Sequence, residues 1–107
     1  MRELKEREIQ KQILDYLKLR KFVAFKHRNV GIFKASTGQY ITLAFGEKGI
    51  SDVLACSPTG QFVAIEVKKK GGKPSPDQLN FISLVKKNGG IAFVAYSLDE
   101  VVDNLPS

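Results

Sequence analysis

Apolar positions along the chain change period several times, and each change marks an element. Ile9, Ile13, Tyr16 and Leu17, with Leu14 beside them, follow the i, i+4, i+7, i+8 spacing of one buried stripe, which predicts a helix over residues 3–21. Lys5, Glu8, Lys11 and Lys18 fall elsewhere on the wheel, toward water. From Phe22 the period shortens. Phe22-Val23-Ala24-Phe25 reads as a strand, with Lys26-His27-Arg28-Asn29 as its exposed end. Ile32-Phe33 and Tyr40-Ile41-Thr42-Leu43 flank Ser36-Thr37-Gly38, which asks for a hairpin or a folded loop. Gly46 and Gly49 bracket a turn before a strand through Asp52-Val53-Leu54-Ala55-Cys56, and Pro58-Thr59-Gly60 reverses the chain into Phe62–Lys68. Ser75 can cap a helix with Pro76 at its first position; that helix carries Leu79, Phe81, Ile82 and Val85 and stops at Asn88-Gly89-Gly90. Ile91–Tyr96 is a buried strand by its continuous apolar character, and Ser97-Leu98-Asp99-Glu100 has the spacing that starts a short last helix. The predicted order is α-β-β-β-β-α-β-α, an α/β fold with a mixed sheet flanked by helices.

Size and composition narrow what such a fold can be. The chain has 107 residues, 43% apolar and 26% charged, which suits one globular domain over residues 1–107. Its N-terminus is charged and lacks an apolar leader, and no apolar run approaches the ~20 residues that span a bilayer. A single cysteine, Cys56, makes neither an internal disulfide nor a zinc cluster, and on its strand it is expected in the core. The expectation is a soluble cytoplasmic protein with no membrane partner and no organic cofactor.

The net charge of +6 gains meaning from its distribution. Residues 1–34 carry ten Lys or Arg against four acids, and residues 66–87 carry six against two; the stretch between them and the tail are acidic. Two basic blocks therefore bracket a few acids, and a polyanion is the natural partner.

Two of those acids occupy strand positions where acids are costly. Asp52 opens an apolar strand, and Glu66 is embedded in Val63-Ala64-Ile65-Glu66-Val67. Alternation puts Glu66 and Lys68 on one face, and the hairpin brings Asp52 toward Glu66. A carboxylate pair with an ammonium beside it is what metal-dependent phosphodiester hydrolysis uses: hard oxygen ligands for Mg²⁺ or Mn²⁺, with Lys68 to orient the nucleophile or meet developing charge. The Val67 carbonyl, between the two side chains, is a candidate additional metal ligand. Lys69, Lys70 and Lys73, just beyond this strand, and Lys26 and Arg28 in the N-terminal block are candidate phosphate contacts.

In this order the residues resemble a known family. Glu6-Arg7-Glu8-Ile9-Gln10, then Gly49-Ile50-Ser51-Asp52, then Glu66-Val67-Lys68, then Gln78 at the second helix, resemble the virus-type replication-repair nuclease (VRR-NUC) domain of the PD-(D/E)XK superfamily. A Gly-x-x-Asp turn stands where the superfamily's name has Pro-Asp. The resemblance covers essentially the whole chain and implies a restriction-endonuclease-like core. It implies Asp52 and Glu66 as metal ligands, Lys68 as the catalytic lysine, Gln78 beside the site, and an acid on the first helix, Glu6 with Glu8 as its competitor. It further implies a stand-alone, phage-type DNA endonuclease, active as a homodimer on four-way or otherwise branched DNA in a bacterial or phage-infected cell, with a place in DNA repair.

Plainer readings stand beside these. Glu66 and Lys68 can form a solvated ion pair, Gln78 can serve the first turn of its own helix, and the lysines can line a solvated loop. His27, the single histidine, has no acid nearby in sequence to orient it and reads as surface or phosphate-contacting. The seven phenylalanines are expected to pack, with Phe33 and Tyr40 the stacking candidates if their hairpin is exposed. A nuclease-like fold that binds nucleic acid without cutting it is the alternative function.

Overall fold

The computed structural model of the protein describes residues 3–27, 32–34, 36, 39–41 and 48–106. Helix α1 spans Glu6–Leu19 and buries Ile9, Gln10, Ile13 and Leu17. It ends in a Schellman closure: the Phe22 N–H donates to the Leu17 carbonyl (2.9 Å) and the Lys21 N–H to that of Lys18 (3.0 Å), with Lys21 itself at φ 69°. The chain then reverses into strand β1 (Val23–Lys26). Strands β2 (Ile32–Lys34) and β3 (Gln39–Ile41) pair antiparallel as a separate two-stranded hairpin. The hairpin thus supplies two strands of its own, one more than the pattern counted.

Strands β4 (Val53–Cys56) and β5 (Phe62–Val67), helix α2 (Pro76–Lys87), strand β6 (Ile91–Ala95) and helix α3 (Leu98–Asn104) complete the chain. The main sheet has the order β1-β4-β5-β6; β1 and β5 run antiparallel to β4, and β6 runs parallel to β5. A parallel pair needs a crossover, and α2 provides it.

The two faces of the sheet divide the protein into layers. Val53, Ala55, Val63, Ile65, Val67 and Ala95 meet α1 and α3 in the main core. A fully buried aliphatic side chain of this kind contributes about 1.5–3 kcal/mol relative to exposure. Ala64 and Ala92 meet Ile82 of α2 on the other face. Only Ile82 of α2 is buried, whereas Leu79 is 49% exposed. Because α2 covers β5 and β6 and leaves β4 and β1 uncovered, Cys56 lies exposed on that face, not in the core. Phe25, on β1, is exposed for the same reason, and Phe62, at the start of β5, is exposed as well, against the expectation that these phenylalanines mainly pack. The side chains of Phe33 and Tyr40 lie outside the described residues, as does Arg28. No helix among the described residues is long and apolar enough to cross a membrane.

Candidate active site

The strand register builds the site. Val53 stands opposite Ile65 across β4 and β5, so one residue further along Asp52 stands opposite Glu66. Val53 and Ile65 belong to the α1 core, and alternation turns Asp52 and Glu66 to the α2 face. The Asp52 carboxylate accepts the Val67 N–H at 3.0 Å, which holds it against β5. In a strand the N–H and C=O of one residue point to the same side, so the Val67 carbonyl is directed toward Asp52 as well.

Glu66 is 1% exposed, and neither carboxylate oxygen has a hydrogen-bond donor among the described residues. The Lys68 ammonium lies 3.6 Å from Glu66 Oε1, close enough for an ion pair. Burial, then the negative charge of Asp52, raise the Glu66 pKa from 4.5 to about 8, and Lys68 offsets only part of that rise. Two facing carboxylates with spare lone pairs form an arrangement that a hard divalent cation relieves, so Asp52, Glu66 and the Val67 carbonyl fit such an ion. Among the described residues no third carboxylate, histidine or cysteine joins the pair in a metal-holding cluster.

A stability prediction follows from the raised pKa. The folded metal-free protein keeps the Glu66 proton up to about pH 8, whereas the unfolded chain releases it near 4.5. The folded state therefore binds more protons in that window, and stability falls as pH rises through it. The contribution is full below the unfolded value and lost as pH climbs through the folded one. Urea unfolding in EDTA at about pH 5 and about pH 8.5 measures it; equal or greater stability at the higher pH would contradict the assignment.

Two backbone features position the pair. Gly49, three residues before Asp52, has φ +72°, and a Cβ there would strike the Asp77 carbonyl group and stand 2.5 Å from Gln78 N. The turn carrying Asp52 is therefore seated directly on the first turn of α2. That turn is fixed in its own right: the Ser75 hydroxyl accepts the Gln78 N–H (3.1 Å), and Gln78 Oε1 accepts the Ser75 N–H (2.8 Å). Gln78 stands beside the Asp52 turn, but its side-chain oxygen serves the cap.

The remaining expectations separate on inspection. Glu8 accepts the Lys5 N–H at 3.0 Å and is taken up at the start of α1. Glu6 is half-buried in the first turn, and since α1 runs back along β1, it stands at the Asp52 end of the sheet. Lys69, Lys70 and Lys73 are exposed on the loop that leaves β5, with Lys70 3.9 Å from Glu3. Lys26 pairs with Val53 and so occupies the face opposite the carboxylates.

Sequence reasoning did not find three features. The His27 N–H donates to the Asp52 carbonyl at 2.7 Å, so the β1 register continues and sets His27 across from Asp52. Gln10 and Ser51 are buried, each with a side-chain oxygen that has no hydrogen-bond partner among the described residues. Gln10 stands three residues before Ile13 and seven before Leu17, on the edge of the apolar stripe, and that spacing was the available signal.

The VRR-NUC domain family matches residues 4–99 of the sequence. The chain belongs to the VRR-NUC family. Two solved structures share the fold. One, described as "VRR_NUC domain", has a TM-score of 0.63 at 24% identity and covers 92% of this chain and 90% of that chain. The other, a "VRR_NUC domain protein", has a TM-score of 0.62 at 24% identity and covers 95% and 85%. No curated protein matches the sequence. The VRR-NUC fold is a nuclease-type fold, and its mixed sheet with helices on both faces is the architecture described above. In this VRR-NUC domain the acids of the Gly-x-x-Asp turn and the Glu-x-Lys strand meet across one strand pair.

Proposed function

We propose that this VRR-NUC domain is a divalent-metal-dependent DNA endonuclease that cuts branched DNA, four-way junctions foremost, and acts as a homodimer. One observation carries the reading: Glu66 is buried opposite Asp52 with both oxygens lacking donors among the described residues and the Lys68 ammonium 3.6 Å away. A structural carboxylate in that position would be hydrogen-bonded. A surface built only to bind phosphates would exclude it.

Asp52, Glu66 and the Val67 carbonyl would hold Mg²⁺ or Mn²⁺, which supplies charge neutralisation at the phosphate and lowers the pKa of water. The chain's residues do the rest. Lys68, only 17% exposed, aims a desolvated cation at the face where the phosphate arrives and meets the charge that develops there. Hydrolysis forms one bond from a water oxygen to phosphorus and breaks the bond to one deoxyribose oxygen; that oxygen takes up a proton as the attacking water gives one up. Lys69, Lys70 and Lys73 lie on the loop beyond β5, where they can grip backbone phosphates without reading bases. Such contacts favour recognition of DNA shape over sequence. A homodimer would set two sites against opposing strands.

Incubation with labelled four-way-junction, flap and linear duplex DNA in Mg²⁺, Mn²⁺ or EDTA is expected to give metal-dependent cuts in branched substrates, with duplex spared. Sedimentation of the same preparation is expected to show a dimer. Absence of metal-dependent cleavage on every substrate would leave the DNA-binding module as the correct reading.

A further inference from the structure

Lys68 has a long flexible stem, and an ammonium on such a stem loses roughly 2 kcal/mol of rotamer freedom when it is fixed. Something must restrict it for the 3.6 Å approach to Glu66 to persist. The loop that follows provides a wall. The Gly72 N–H donates to the Lys69 carbonyl at 2.9 Å, closing a turn in which Gly71 sits at φ +85°. A methyl group built on Gly72 would stand 3.5 Å from Lys68 Cβ and 3.7 Å from Lys68 Cδ, so the turn lies alongside the aliphatic stem.

The turn is tied down from a distance. The Tyr96 hydroxyl donates to the Gly72 carbonyl at 3.0 Å, across 24 residues of sequence. Tyr96 is itself placed on both sides. Ala95 before it accepts the Lys68 N–H at 3.0 Å, and the Tyr96 N–H donates to Glu100 Oε2 at 2.9 Å in the cap of α3. The Ser97 hydroxyl accepts the Glu100 N–H at 3.3 Å and completes that cap. A rigid strand end and helix start therefore present a phenol to a glycine turn, and that turn borders the side chain of Lys68.

We propose that Tyr96 is a positioning residue of this site: its hydroxyl holds the Lys69–Gly72 turn against the Lys68 stem and so keeps the ammonium beside Glu66. The effect on rate rests on the nuclease reading; the hold on the turn does not. Tyr96→Phe removes the hydroxyl alone. Single-turnover cleavage of a branched substrate at saturating enzyme is expected to slow about fivefold, with junction affinity in EDTA changed less than about twofold. The loss should vanish in a Lys68→Ala background, because the ammonium it positions is then gone. In the metal-free protein, amide hydrogen exchange at Gly72 should quicken about tenfold at unchanged melting temperature. Three results would overturn the proposal: a wild-type rate in Tyr96→Phe while Lys68→Ala is inactive, an equal loss in both backgrounds, or unchanged exchange at Gly72. A wild-type protein that cuts nothing would remove the nuclease reading instead, and the exchange at Gly72 then decides whether Tyr96 holds the turn.

Discussion

Glu66→Gln is expected to abolish cleavage, by about a thousandfold or more, and at the same time to stabilise the metal-free protein at pH 8 by about 1–3 kcal/mol. The two effects have one cause. The side chain is 1% exposed, its oxygens have no donors among the described residues, and it faces the Asp52 carboxylate. The neutral amide keeps the shape and removes both the desolvation cost and the repulsion. It also leaves Lys68 without its partner, which takes back part of the gain. Below about pH 4.5 the wild-type carboxyl is protonated whether folded or unfolded, so the stabilisation should fade there, and it should grow toward pH 8. Paired urea titrations in EDTA measure the stability, and single-turnover assays in Mg²⁺ measure the cutting. A carboxylate retained for structure would behave oppositely: its loss would destabilise the fold and spare any activity.

Much of this site was legible in the sequence because short-range rules placed it. The Pro58-Thr59-Gly60 turn, with Gly60 at φ +86°, fixes the register of one hairpin, and register alone sets Asp52 opposite Glu66. Helix α1 followed from the spacing of four residues, Ile9, Ile13, Tyr16 and Leu17, and α2 from Ser75 and Pro76. The Ser75-x-x-Gln78 spacing also carried the cap that occupies the Gln78 oxygen, a competing role written in the same four residues. What stayed hidden depends on contacts between distant elements. The exposure of Cys56 and Phe25 depends on how far α2 reaches across the sheet, which no local pattern encodes. His27 comes opposite Asp52 because β1 adds to the edge of β4, after a helix end built on a lysine in the left-handed region. Gln10 is polar by type and buried by position, and only the packed neighbours of α1 decide between the two.

Gly49→Ala is expected to cost about 3 kcal/mol or more, lowering the melting temperature by more than about 10 °C, and to reduce cutting further than the loss of folded protein accounts for. Two penalties combine. At φ +72° any L side chain is strained, and the new methyl would strike the Asp77 carbonyl group and approach Gln78 N to 2.5 Å. Those atoms are backbone in a capped helical turn and cannot swing aside. Either the Asp52 turn or the start of α2 must move, and a shift of the turn displaces Asp52 from its bond to the Val67 N–H. Gly60→Ala separates strain from contact: Gly60 has φ +86° with open space around its Cβ position, so its substitution should cost only about 1–2 kcal/mol and leave cutting intact. Thermal melts of both variants, with single-turnover assays well below either melting point, test the argument. Equal penalties at the two glycines would mean that strain alone matters and that the seat of the Asp52 turn on α2 does not. A Gly49→Ala protein that is destabilised yet cuts at the wild-type rate when folded would show that Asp52 holds its place without that seat.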